Sequence, residues 1–137
     1  MPLYLCNAKD DVLTQDAKAK IAKDITDIHC DKTGAPPTFV HAFFFEDAPT
    51  PPIGGSTVQL HGNIRAGRTD NQKAEIIQEM RKSVARHSGI PLAEIGMTTA
   101  DVPASWVMEG GDLLPEPGEE EAWLAAHEAK LAAEAAQ

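Results

Sequence analysis

Thr69–Pro91, TDNQKAEIIQEMRKSVARHSGIP, repeats the plan of Thr14–Pro36, TQDAKAKIAKDITDIHCDKTGAP, 55 positions earlier. Each stretch opens on a threonine, whose side chain can accept a hydrogen bond from the unpaired N–H groups of a helix's first turn. Each then carries apolar residues at three- to four-residue spacing: Ala17, Ile21, Ile25 and Ile28 in one, Ile76, Ile77, Met80 and Val84 in the other. Each stops at a glycine with a proline two residues beyond (Gly34 and Pro36, Gly89 and Pro91). A cap, an apolar stripe and a left-handed stop together predict an amphipathic helix. Gln72, three residues after Thr69, adds the spacing of a capping box.

Outward from the helices, the flanking segments read as strands. Leu3 to Asn7 precedes the first helix and Thr57 to Ile64 the second, with Leu5 and Leu60 again 55 apart. Thr38 to Phe45 follows the first helix, and its β-branched and aromatic run predicts a strand covered on both faces. Ile95 to about Thr99 follows the second. A spacing kept at cap, stripe and stop predicts a duplicated βαβ unit, residues 2–46 and 57–102, within one domain spanning residues 1–137. The expected class is α/β (α+β), a four-stranded mixed sheet with two helices on one face. The other face then calls for a partner, expected to be further subunits. Between the units, Pro49, Pro51, Pro52, Gly54 and Gly55 make Asp47–Thr57 a loop. The extension, 103–137, is turn-rich at first, with Trp106, Val107 and Met108 as expected packing anchors. Glu119–Gln137 should form a helix whose thin apolar stripe, Trp123, Leu124, His127 and Leu131, is enough to dock on a neighbour but not to form a core.

The composition narrows the function. Twelve Lys and Arg against 21 Asp and Glu give a net charge of −9. That balance argues against nucleic acid or an anionic membrane surface as partner. No charged-then-apolar leader or long apolar run suggests export or insertion, so a cytoplasmic location is expected. Cys6 and Cys30 form no CxxC pattern and are expected to be reduced thiols. The five histidines have no ligand spacing and no cofactor motif is present, so neither a metal nor a cofactor is expected.

Three features carry chemistry. Pro2 is small enough to permit removal of Met1, which would leave a secondary amine, and an α-amino group has an ordinary pKa of about 7.7–8.0. A helix rising about 22 Å over 15 residues, beside a strand advancing about 17 Å over five, returns His29 to the level of Pro2. Arg65 and Arg68 stand between the second strand and the second helix, where guanidinium forks and free helix N–H groups suit a carboxylate or phosphate. Whether the arginines reach Pro2 depends on strand direction. Parallel first strands would separate them by roughly 20 Å, whereas antiparallel ones would bring them together.

With Ile25-Thr26-Asp27-Ile28-His29, His61-Gly62, Arg65-Ala66-Gly67-Arg68 and Leu114-Pro115-Glu116-Pro117-Gly118, the chain resembles the cis-3-chloroacrylic acid dehalogenase group of the tautomerase superfamily. The resemblance runs from Pro2 to about Trp123. It implies a homotrimer with antiparallel pairing of the βαβ units and a catalytic amino-terminal Pro2. It implies that His29, Arg65 and Arg68 hold a substrate carboxylate and that Glu109 activates water. Thr98 stands where the group has a tyrosine partnering that glutamate. Its shorter reach points away from efficient dehalogenation, towards tautomerisation or hydration of a small unsaturated carboxylic acid. The alternative is a non-catalytic trimer that binds a small acid or a protein through the same pocket.

Overall fold

The computed structural model describes residues 1–47, 55–109 and 111–136, and of Glu109 its backbone alone. Most of the expected Asp47–Thr57 loop lies outside the described residues. The first unit is β1 (Leu3–Ala8), α1 (Gln15–Thr33) and β2 (His41–Glu46), and the second is β3 (Val58–Arg65), α2 (Asp70–Ser88) and β4 (Ile95–Val102). A small hairpin, β5 (Met108–Glu109) with β6 (Asp112–Leu113), leads to α3 (Glu120–Ala135). Among the described residues no helix is long and apolar enough to cross a membrane.

Both helices begin and end as their sequences dictate. Thr14 Oγ1 accepts from the Ala17 N–H at 3.0 Å, and Thr69 with Gln72 forms the full reciprocal capping box. Gly34 and Gly89 close the helices at φ 76° and 77°, a conformation that an L side chain would strain. Ile21, Ile25, Ile76, Met80 and Val84 are buried against Tyr4, Cys6, Leu60, Ile64 and Ile95 in one core between helices and sheet. Full burial of each such aliphatic side chain contributes about 1.5–3 kcal/mol. Asp24 of α1 ties the helices together, accepting from Ser83, Arg86 and His87 of α2 at 2.8–2.9 Å.

The four strands form one mixed sheet in the order β2-β1-β3-β4. Pairing within each βαβ unit is parallel, and the units join antiparallel through β1 and β3. This settles the strand direction: the end of β3 lies beside the start of β1.

Several expectations need correction. First, the strand after α1 starts at His41, because Pro37–Phe39 form a 3-10 turn that buries Phe39. Secondly, β2 is an edge strand covered on one face alone, with Phe43 53% exposed on the other. Trp106 and Met108 are likewise exposed within the single chain rather than packing anchors. Thirdly, Leu5 and Leu60 do not correspond. Leu3 pairs with His41 and Gln59 with Gly96. His41 and Gly96 keep the 55 spacing, so Leu3 answers Gln59, 56 positions on. The second strand-to-helix turn is one residue shorter, and because strand side chains alternate, the slip exchanges faces. Leu60 therefore lies in the core as the counterpart of Tyr4, while Leu5 is half-buried on the open face.

Candidate functional site at the start of β1

In the β1–β3 ladder Leu3 pairs with Asn63 and Tyr4 with Gly62, so Pro2, just before Leu3, leads into β1 at the end of the sheet where β3 finishes with Ile64 and Arg65. Pro2 is buried, and its carbonyl accepts the His41 N–H at 3.0 Å, so the start of β1 is fixed from both sides.

His29 arrives at this end from the last turns of α1. Its Nδ1 lies 2.7 Å from the Tyr4 hydroxyl, both side chains being buried. Tyr4 fits because its partner across the ladder is Gly62: a Cβ there would lie 2.6 Å from Tyr4 Cε1. Burial first, then Arg68, Arg65 and the terminal ammonium, hold the imidazole down at about 3, against an ordinary value of 6.5. Burial pushes the Tyr4 phenol well above its usual range. With no other hydrogen-bond partner for the phenol among the described residues, Tyr4 donates to Nδ1. The proton of the neutral ring then sits on Nε2, leaving a donor away from the Tyr4 contact.

Arg65 is the last residue of β3, and Arg68 follows a turn made by Gly67 at φ 107°. Their side chains are 1% and 5% exposed. Both meet one carboxylate oxygen, Glu120 Oε1, at 2.8 Å from Arg65 Nη2 and 3.1 Å from Arg68 Nη2. The Gly118 N–H donates to Glu120 Oε2 at 2.7 Å. Burial pushes the Glu120 carboxyl up, but these donors and its own backbone N–H hold it below the usual carboxylate range. Arg65 also donates to the Pro115 carbonyl and lies 5.5 Å over the Phe39 ring, which forms a T-shaped pair with Trp123 of α3. Arg68 Nη1 donates to the Thr33 carbonyl at the end of α1.

Of the residues singled out from sequence, Pro2, His29, Arg65 and Arg68 thus gather at one end of the sheet. Thr98 does not join them within the chain. It lies on the open face of β4, its hydroxyl 2.7 Å from His61 Nδ1. Glu109 begins the hairpin turn, but its side chain lies outside what is described. Two residues of this end were missed in the sequence: Tyr4, an aromatic on the helix-facing side of β1, and Glu120, one acid in the run Glu119-Glu120-Glu121. Two buried arginines need a counter-charge, and that requirement was the signal available for Glu120. Among the described residues no group of His, Cys, Asp and Glu could hold a metal ion.

Residues 1–128 match a family model described as "Putative oxalocrotonate tautomerase enzyme". A member of the cis-3-chloroacrylic acid dehalogenase family, solved by crystallography, is 30% identical, with 90% of each chain covered and a TM-score of 0.81. A "Probable tautomerase" of Lactococcus lactis subsp. lactis is 33% identical over 54 residues, 39% of this chain and 88% of that one. That match is about one βαβ unit long. A fused 4-OT, described as an asymmetric trimer, shares the fold at 23% identity and a TM-score of 0.69, over 88% of this chain and 98% of that one.

Proposed function

The chain belongs to the tautomerase superfamily, in its cis-3-chloroacrylic acid dehalogenase-like group, and from that premise we propose that it is an amino-terminal-proline enzyme acting on a small unsaturated carboxylic acid. The observation that carries the reading is the convergence of a buried neutral His29, Arg65 and Arg68 on the end of the sheet where β1 starts. In this reading the three side chains hold the substrate carboxylate and draw charge out of its conjugated system. Pro2, with Met1 removed, carries a proton to or from the substrate carbon, and Glu109 positions water when water adds.

The amine's charge separates two chemistries. Burial and nearby arginines favour the neutral base that ketonisation of an enol requires, whereas a close Glu109 favours the ammonium that hydration requires. Ketonisation is the favoured reading, because Pro2 is buried and the buried Arg65 and Arg68 stand at the same end of the sheet. Thr98, lying on the open face, becomes available to a neighbouring subunit's site once copies associate through that face. The family's trimers make a homotrimer the expected assembly, and light scattering that returns a 14.7 kDa particle at micromolar concentration would exclude it.

The test is a screen of phenylenolpyruvate, 2-hydroxymuconate and the 3-haloacrylates with processed protein before and after alkylation of the terminal amine. Turnover of an enol acid that alkylation abolishes is the expected result. Retained binding without turnover of any of them would favour the non-catalytic module.

A further inference from the structure

Arg65 and Arg68 bring two positive charges to one buried spot, and guanidiniums so placed repel one another unless an anion lies between them. Glu120 is that anion, bridging both through a single oxygen. It stands in the first turn of α3, and the loop before it interlocks with the arginine turn. A Cβ on Gly67 would lie 2.9 Å from Pro117 Cγ, so the two turns pack with no space to spare. Arg65 has its ring contact with Phe39 and its bonds to Pro115 and Glu120. Arg68 is different. Its Nε–H is buried and has no hydrogen-bond partner among the described residues.

We propose that Glu120 is a positioning residue: it clamps Arg65 and Arg68 into a fixed pair and leaves the Arg68 Nε–H, with His29 Nε2–H, as the donors for the substrate carboxylate. This rests on the carboxylate-binding reading of the site and narrows it: Arg68 and His29 donate to the carboxylate, and Arg65, engaged by Pro115 and Glu120, attracts it by charge. A substrate carboxylate does not take Glu120's place. Both oxygens of that side chain are already engaged, and the chain that carries it is anchored by the Trp123 contact with Phe39. Expelling it would strip three hydrogen bonds from a carboxylate only 11% exposed. Clamping keeps two buried cations from swinging apart while one net positive charge faces the incoming anion.

The experiment is kinetics of phenylenolpyruvate ketonisation for Glu120→Ala and Glu120→Gln, with and without added formate. Loss of the clamp should raise KM at least tenfold in both variants and change kcat by less than about threefold. Formate, which fits the space left in Glu120→Ala, should bring KM back towards that of the unmutated enzyme and raise the variant's melting temperature. A lower KM in Glu120→Ala, with formate now a competitive inhibitor, would overturn the inference by making Glu120 an occupant of the substrate position. Unchanged constants in both variants would overturn it as well while leaving the carboxylate reading intact. If Glu120→Ala does not fold, Glu120→Gln decides, an unchanged KM counting against the clamp. Unmutated, processed protein that neither binds nor converts the enol acid overturns the functional reading, and the inference with it.

Discussion

The duplication gives the sheet two ends built on one plan, and only one of them is polar. Under the 56-residue correspondence of the first strands, Pro2 and Tyr4 answer Val58 and Leu60; under the 55-residue correspondence of the helices, His29 answers Val84 and Arg68 answers Leu13. Val58, Leu60, Val84 and Leu13 are all buried hydrocarbon. The same backbone frame thus encloses a tyrosine–histidine pair and the Arg68 guanidinium at one end, and ordinary core at the other, while Arg65 answers the exposed Lys9. The apolar end shows what the fold itself requires. The polar end costs desolvation of a histidine and two cations, which the architecture does not demand. A polar cluster where the matching end packs hydrocarbon is what the proposed site calls for.

The contrast is sharpest at Arg68 and Leu13. Arg68→Ala should lower kcat/KM by about 2–5 kcal/mol in transition-state terms, through lost carboxylate binding. Leu13→Ala should cost about 2–5 kcal/mol of stability and leave KM unchanged, as a core cavity does. Urea unfolding and steady-state kinetics on both variants separate the two effects; equal kinetic damage from Leu13→Ala would break the comparison.

Next comes transplanting the apolar end's residues. Tyr4→Leu with His29→Val installs the pair that packs at the other end, so the chain should still fold cooperatively. Activity should fall by about 10- to 100-fold, the loss of one hydrogen bond to a charged group at about 1.5–3 kcal/mol. A double variant that cannot fold would show that the two ends are not interchangeable frames.

A smaller effect is the pH dependence that His29 imposes. Its folded value of about 3 lies below its ordinary 6.5, so the unfolded chain binds the extra proton first. Stability is therefore full above about pH 6.5 and declines as pH falls from there towards 3. Melting temperatures between pH 7 and pH 5 should show this decline, and it should be absent in the Tyr4→Leu, His29→Val variant. The smallest expected effect is common to both halves. Thr14→Ala and Thr69→Ala should each cost about 1 kcal/mol in urea unfolding, since each removes one cap.

What the sequence revealed and what it hid follow from the range of the interactions. Caps, stripes and stops act within a few residues, so both helices could be placed from Thr14, Gly34, Thr69 and Gly89 alone. His29 could be brought level with Pro2 by helix and strand rise, because its placement needs one unit only. The one-residue slip of β1 against β3 could not be seen, since Leu5 and Leu60 look alike until pairing partners assign faces. Apolar residues such as Phe43, Trp106 and Met108 announce that they want cover but not whose, and a single chain leaves them exposed. Glu120 was hidden among three consecutive glutamates. Only the docking of α3 against Phe39 puts the middle one between two arginines.

The central claim is that the Pro2 nitrogen carries the proton. While Met1 is attached, that nitrogen is a tertiary amide with no basic lone pair and no hydrogen to give. The most direct test takes preparations with different extents of Met1 removal, quantified by intact mass, and measures phenylenolpyruvate ketonisation in each. The rate should be proportional to the fraction of chains that begin at Pro2, extrapolating to zero for chains that keep Met1. A preparation that keeps Met1 throughout and turns over at the full rate would contradict it, and would leave His29 with Glu109 to move the proton.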